Sequence, residues 1–292
     1  MFGQVIIGPP GCGKTTFCAG LQNLLTAQNR EICVVNLDPA NDQLPYTADI
    51  DIKELITVQD VMETEKLGPN GAIIYCMDYL EANLDWLKMQ IDKLCASRKR
   101  PYFLFDFPGQ VELYTHHGNV KKVLKQLEKW KHRIVTVYLA DATYCHDAGK
   151  FISVIISCLQ AMIQLETPHI NVLSKIDLLK IFGELPFNLE YFTEVQDLSY
   201  LVDTLANDPF LAKYKRLSTT ICEIVEDYGL VSFYPVNVSD AQTLMAEVAA
   251  ADKACGYCFG RKADEQNLDV LYGSAMTENR THLIQDVSSQ YE

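Results

Sequence analysis

Short apolar runs alternate along the chain with longer stretches of helical period. The runs fall at Gly3–Ile7, Glu31–Asn36, Tyr102–Asp106, Ile134–Ala140, His169–Ser174 and Val231–Val236. They are rich in Val, Ile, Leu and aromatics with little two-residue alternation, as strands buried on both faces require. Amphipathic segments fill the gaps, so the pattern predicts an α/β fold: a mostly parallel, doubly wound sheet with helices on both faces. Phe151, Ile152, Ile155, Ile156, Leu159 and Ile163 follow helical spacing and are read as core or as a partner-facing surface. Their run, Phe151–Leu165, is interrupted by Ser153, Ser157, Gln160 and Gln164 and reads as too short to cross a bilayer.

The rhythm changes twice. From Gly183 to Gly229 the chain reads as a helical insertion broken at Asn207-Asp208-Pro209, and after about Gly256 the pattern decays. The organisation expected is a core over 1–182, the insertion over 183–229, a last core strand and helix over 230–256, and a polar tail over 257–292. The tail is expected to be mobile, with Leu268, Val270 and Leu271 able to dock locally.

Composition narrows the function. The 292 residues are 48% hydrophobic, and 25 Lys+Arg against 38 Asp+Glu leave a formal net charge of −13. That balance argues against a nucleic-acid binder, which needs clustered cations against phosphates. The ten cysteines are scattered through apolar segments, the usage of a reduced, cytosolic-type protein. The first residues show no basic-then-apolar leader, so a soluble chain without direct membrane contact is expected.

The chemistry begins where the first strand ends, at Gly8-Pro9-Pro10-Gly11-Cys12-Gly13-Lys14-Thr15-Thr16. This is a complete G-x-x-x-x-G-K-[ST] loop at a strand-to-helix junction, the mark of a P-loop NTPase. Backbone N–H groups across Gly11, Cys12, Gly13, Lys14, Thr15 and Thr16 would wrap the phosphates, Lys14 would reach the β and γ groups, and Thr15 would ligate Mg²⁺. Cys12 is read as a small spacer. An acidic chain can thus still hold a polyanion in one local pocket.

Ser174-Lys175-Ile176-Asp177 closes a buried strand. It resembles the guanine-recognition element of GTPases: an Asp177 carboxylate can accept from the N1–H and 2-amino groups of guanine, and the Lys175 stem can lie over the base. Ser174 departs from the Asn usual there. Asp106-Phe107-Pro108-Gly109-Gln110-Val111-Glu112 resembles the second switch of GTPases. In that reading Asp106 holds Mg²⁺ through water, Gly109 offers a backbone N–H to the γ-phosphate, and Gln110 orients the attacking water. Glu112, on the same side as Gln110 if the segment is extended, is a second catalytic candidate for positioning the water or the switch. Asp38, in Asp38-Pro39-Ala40-Asn41, ends the second strand at the same sheet edge and can polarise a water near the γ-phosphate.

Gly68-Pro69-Asn70-Gly71 reads alone as a turn after a helical stretch from Ile52 to Lys66. Together with the four motifs above it makes the chain resemble the GPN-loop GTPases over roughly Phe2 to Gly260. Leu67–Gly71, Gln110–His117 and Pro168–Lys175 are most similar to the second of the three eukaryotic branches. The resemblance implies a Mg²⁺-dependent GTP-hydrolysing switch that works as a homodimer, or as a heterodimer with another GPN-loop GTPase. Gly68, Pro69 and Asn70 would reach across the interface toward the partner's γ-phosphate. It further implies RNA polymerase II subunits or assembly factors as partners, a role in assembly and nuclear import of that polymerase, and a cytoplasmic location with shuttling to the nucleus. Two other readings stay open: a P-loop kinase with Asp38 as base, and an assembly scaffold that binds nucleotide with little turnover. His116-His117 is read as serving the switch helix or an interface rather than a metal, the single Cys255-Gly256-Tyr257-Cys258 as neither a zinc nor a redox site, and Arg98-Lys99-Arg100 as a solvated turn rather than an import signal.

Overall fold

β1 (Phe2–Ile7) runs through the middle of the sheet, and all but its first residue are buried. This computed structural model describes residues 1–195, 197–206, 212–229, 231–260, 284–287 and 289–291. The other strands are β2 (Ile32–Asn36), β3 (Ile50–Asp51), β4 (Tyr102–Asp106), β5 (Arg133–Asp141), β6 (His169–Ser174) and β7 (Phe233–Val236). The seven form a parallel sheet in the order β3-β2-β4-β1-β5-β6-β7. β1 pairs with β4 from Phe2 opposite Tyr102 and with β5 from Phe2 opposite Arg133, and β2 pairs with β4 from Ile32 opposite Tyr102. Six of the seven strands lie where the apolar runs predict them. The seventh, β3, is two residues long and too short to leave a periodic signal.

The chain divides into two compact units. The first comprises Met1–Leu139, Gln164–His169 and 251–260. It holds α1 (Lys14–Ala27), α2 (Val58–Glu65), α3 (Pro69–Ala82), α4 (Leu84–Ser97), α5 (Glu112–Thr115) and α6 (Asn119–Lys129). Arg30 and Asp252 form a buried ion pair in it, at 3.1 and 2.5 Å, with the guanidinium 4.8 Å from the Tyr257 ring centroid. Arg98, read as part of a solvated turn, is instead half-buried: it pairs with Asp49 and donates to the Ile32 carbonyl of β2.

The second unit includes Ala140–Ile163 and Ile170–Ala250, and so most of α7 (Ala148–Leu165), with α8 (Leu189–Glu194), α9 (Ser199–Ala206), α10 (Lys215–Tyr228) and most of α11 (Ala241–Cys255). α7 begins three residues before the run read from the sequence, and its 18 residues are long and apolar enough, by length and composition, to cross a membrane. The expectation that this run is too short therefore does not hold. One face of α7 nevertheless behaves as a core helix: Phe151, Ile152, Ile155, Cys158, Ala161 and Leu165 are buried, and Phe151 meets Phe192 edge-on at 4.9 Å. Over 183–229 the described residues are helical or irregular, with no strand among them. The break at Asn207-Asp208-Pro209 and the docking residues Leu268, Val270 and Leu271 lie outside the described residues. In the described part of the C-terminus Ile284 and Val287 are buried, Lys180 donates to the Gln290 carbonyl at 2.8 Å, and Asn237 donates to the Tyr291 hydroxyl at 2.8 Å.

Candidate functional site

The phosphate loop links β1 to α1, and its glycines are dictated by close approach. A Cβ on Gly8 (φ 145°) would sit 2.4 Å from the Leu139 carbonyl oxygen, and Gly13 caps α1 in the left-handed region at φ 94°. The helix thus starts at Lys14, with its first N–H groups directed into the loop. Cys12 is buried, as a spacer would be. Lys14 Nζ donates to the Gly8 and Pro9 carbonyls, each at 3.2 Å, and the side chain is only 7% exposed. Those carbonyls hold the ammonium over the loop in a position from which it can turn to phosphate oxygens.

β4 delivers Asp106 to the same place, fully buried. Its Oδ2 accepts from the Tyr46 hydroxyl at 2.9 Å, while Oδ1 has no hydrogen-bond partner. Burial pushes the Asp106 carboxyl up to about 6 against the lowering influence of Tyr46, Lys14 and Thr15. A desolvated carboxylate with one unshared oxygen beside a threonine hydroxyl fits a hard divalent cation, which binds through one or two carboxylates, water and substrate phosphates. Among the described residues no group of three or more His, Cys, Asp or Glu could hold a metal, so His116-His117 and Cys255/Cys258 form no such cluster.

After Asp106, Pro108 and Gly109 turn the chain back over the phosphate loop. The fully buried Tyr114 locks the turn: its hydroxyl lies within hydrogen-bond reach of both the Pro108 and Gly8 carbonyls, which share its single proton. Gln110 Oε1 is buried without a partner. The chain does not continue extended: Val111 is in the right-handed region (φ −61°, ψ −32°) and α5 begins at Glu112. Glu112 therefore shares no extended face with Gln110, and it stands exposed on the helix start.

Asp38 follows β2 and is half-buried. Its Oδ1 accepts from the Ala40 N–H at 3.0 Å, and its own N–H donates to Asn36 Oδ1 at 3.2 Å. Burial raises its carboxyl above the ordinary range against the fields of Lys14 and Lys53. Asn41, three residues on, donates to the Thr15 hydroxyl at 3.1 Å. Tyr46 and Asn36 carry no motif signal, and Asn41, although it ends the Asp38–Asn41 motif, has its partner, Thr15, 26 residues away in sequence.

Gly68-Pro69-Asn70 is not a turn. Gly68 is the N-cap of α3, Pro69 occupies its first position and Asn70 its second, all three exposed. Proline suits that place because its missing N–H would be unpaired there in any case.

The base motif lies in the second unit and is described by itself. Ser174 ends β6, buried, and its hydroxyl donates to the Ala140 carbonyl at 3.0 Å. Lys175 takes a left-handed backbone (φ 61°), and its Nζ pairs with Asp141 Oδ2 at 2.8 Å. Burial acts to raise the Asp141 carboxyl, but Lys175 and the Thr143 hydroxyl and N–H outweigh it and hold it below the usual value. Asp177 is exposed in the first turn of the 3-10 segment Ile176–Ile181. The sequence reading identified Lys175 but not Asp141, the residue that fixes it.

Residues 6–257 match a family model described as "Conserved hypothetical ATP binding protein". The chain is 52% identical over 277 residues to a zebrafish (Danio rerio) protein named GPN-loop GTPase 2, covering 94% of this chain and 87% of that one. To the Saccharomyces cerevisiae protein of the same name it is 40% identical over 294 residues, covering 99% and 84%. A solved GTPase from Pyrococcus abyssi in its apo form superimposes with a TM-score of 0.69 at 25% identity, covering 87% of this chain and 97% of that one. With a complete phosphate loop between β1 and α1 and these similarities along nearly the whole length, the chain belongs to the GPN-loop GTPase family.

Proposed function

We propose that this protein is a Mg²⁺-dependent GTP hydrolase that works as a dimer and assists the assembly and nuclear import of RNA polymerase II. GTP binding and hydrolysis follow from family membership. The observation that carries the catalytic reading is the pair of unpartnered buried acceptors, Asp106 Oδ1 and Gln110 Oε1, flanking the phosphate loop. Gln110 accepts a hydrogen bond from the attacking water and aligns it, and Asp38 orients the same water from the other switch segment. Glu112, at the start of α5, positions the switch. Lys14 and the N–H groups of Gly11 to Thr16 stabilise charge on the transferring phosphoryl group. Thr15 and Asp106 would hold Mg²⁺, which when bound neutralises β- and γ-phosphate charge.

The family model's description names ATP, whereas the relatives are named GTPases. The chemistry of Ser174-Lys175-Ile176-Asp177 favours guanine, because adenine has no donor pair for the Asp177 carboxylate. Dimerisation rests on the resemblance and on the exposure of Gly68, Pro69 and Asn70 at a helix start. From there Asn70 presents a neutral amide to a partner's γ-phosphate, a weaker substitute for an arginine. The polymerase role and a cytoplasmic location with nuclear shuttling rest on the resemblance alone. The net charge of −13 directs any such association to protein surfaces rather than nucleic acid.

Phosphate release from GTP with Mg²⁺ and no added acceptor tests the reaction: steady release supports hydrolysis, and release only with a small-molecule acceptor would make the protein a kinase. Asn70→Ala, followed by hydrolysis rate and sedimentation, tests the dimer. Both unchanged would remove the trans role.

A further inference from the structure

Between β2 and β3 the chain runs from Leu37 to Asp49 without regular structure, yet two of its side chains reach the residues assigned to the cation. Tyr46 is buried, and its hydroxyl donates to Asp106 Oδ2 at 2.9 Å. Asn41 donates to the Thr15 hydroxyl at 3.1 Å. Both are anchored from behind. Asn36 is fully buried, donates to Asp51 Oδ1 at 2.9 Å, and turns its Oδ1 toward the Asp38 N–H and, at 3.5 Å, the Tyr46 oxygen. Lys53 holds the Asn41 carbonyl at 2.6 Å and Asp42 Oδ1 at 2.9 Å.

A tyrosine hydroxyl has one proton to donate. The Asn36 amide oxygen competes for that proton only at 3.5 Å, against 2.9 Å to the carboxylate, and a carboxylate is the stronger acceptor, so the tyrosine proton goes to Asp106. That bond engages one carboxylate oxygen, fixes the rotation of the group, and leaves Oδ1 without a protein partner. We infer that Tyr46 is a positioning residue for the cation site: it holds the Asp106 carboxylate so that Oδ1 faces the Mg²⁺ water shell, with Asn41 aligning the Thr15 oxygen in parallel. A threonine oxygen has two lone pairs, so the Asn41 bond leaves one for the metal. The segment between β2 and β3 is thereby tied to both cation residues.

The inference deepens the Mg²⁺-dependent reading and rests on it. Its test is a Mg²⁺ titration of fluorescent GTP-analogue affinity, run on the full chain and on Tyr46→Phe, which removes only the hydroxyl. Losing a hydrogen bond to a charged group raises the Mg²⁺ concentration at half-effect by roughly tenfold. Affinity in EDTA and the thermal midpoint stay within about twofold and a few degrees of the parent, which a general packing defect would not allow. An unmoved Mg²⁺ midpoint overturns the inference, as does an equal loss of affinity in EDTA. Asp106→Asn separates the two layers. If it leaves the Mg²⁺ dependence intact, the metal assignment of Asp106 fails; if it abolishes the dependence while Tyr46→Phe does nothing, only the role of Tyr46 fails.

Discussion

A single methyl group at Gly109 tests whether the switch turn bears on the phosphate loop. A Cβ built there lies 2.9 Å from Lys14 Nζ, 3.0 Å from Pro10 Cα and 3.2 Å from Pro10 N. Comfortable carbon–carbon separation is about 3.5–4.0 Å, so Pro10 has to retreat by roughly 0.5 Å. Lys14 is the flexible partner and can swing aside, but in doing so it leaves the Gly8 and Pro9 carbonyls. Overpacking of this kind costs about 1–3 kcal/mol. A free loop can relax, whereas a loop wrapped on phosphate cannot, so the cost falls on the nucleotide-bound state. Gly109→Ala is therefore expected to lower GTP affinity or kcat/KM by about 5- to 150-fold, with little change in thermal midpoint. Gly118→Ala is the control, because nothing lies within 4 Å of its added Cβ. If kcat/KM and affinity of Gly109→Ala both stay within twofold of the parent, the close approach is irrelevant to catalysis and the argument fails.

Asp252→Ala leaves Arg30 charged and buried; breaking such a pair costs about 3–5 kcal/mol in urea unfolding, and a loss below about 1 kcal/mol would show the pair to be dispensable. His169 has two buried ring nitrogens without partners, and burial pushes it down to about 4. The native state holds it neutral while the unfolded chain protonates near 6.5, so stability is full above that pH and falls as pH drops toward 4, by at most about 3 kcal/mol. His132, lowered to about 4 chiefly by burial, acts in the same direction. His169→Phe should flatten this acid limb; an unchanged slope would exclude His169 as its source.

The sheet was legible because its strands are buried on both faces and so appear as unbroken apolar runs; β3, with two residues, carries no such run. The phosphate loop was legible because its chemistry is local, nine consecutive residues around one strand end. Glu112 shares a side with Gln110 only if the chain stays extended after Gly109, and Val111 already has helical angles. Gly68-Pro69-Asn70 reads as a turn because proline and glycine punctuate turns and helix starts alike. Tyr46 on Asp106, Asn41 on Thr15 and Asp141 under Lys175 stayed hidden for one shared reason. Each joins residues 26 to 60 positions apart through a single hydrogen bond or ion pair, and no local pattern encodes that.

The proposed function requires that Asp177 read the guanine base of the nucleotide that is bound and hydrolysed. Asp177→Asn replaces a double acceptor by an amide that can donate to the 2-oxo group of xanthine. Hydrolysis of GTP and of xanthosine triphosphate by parent and variant measures this directly. The account predicts that GTP kcat/KM falls at least about tenfold in the variant while xanthosine triphosphate becomes the better substrate. An unchanged preference for GTP would contradict it.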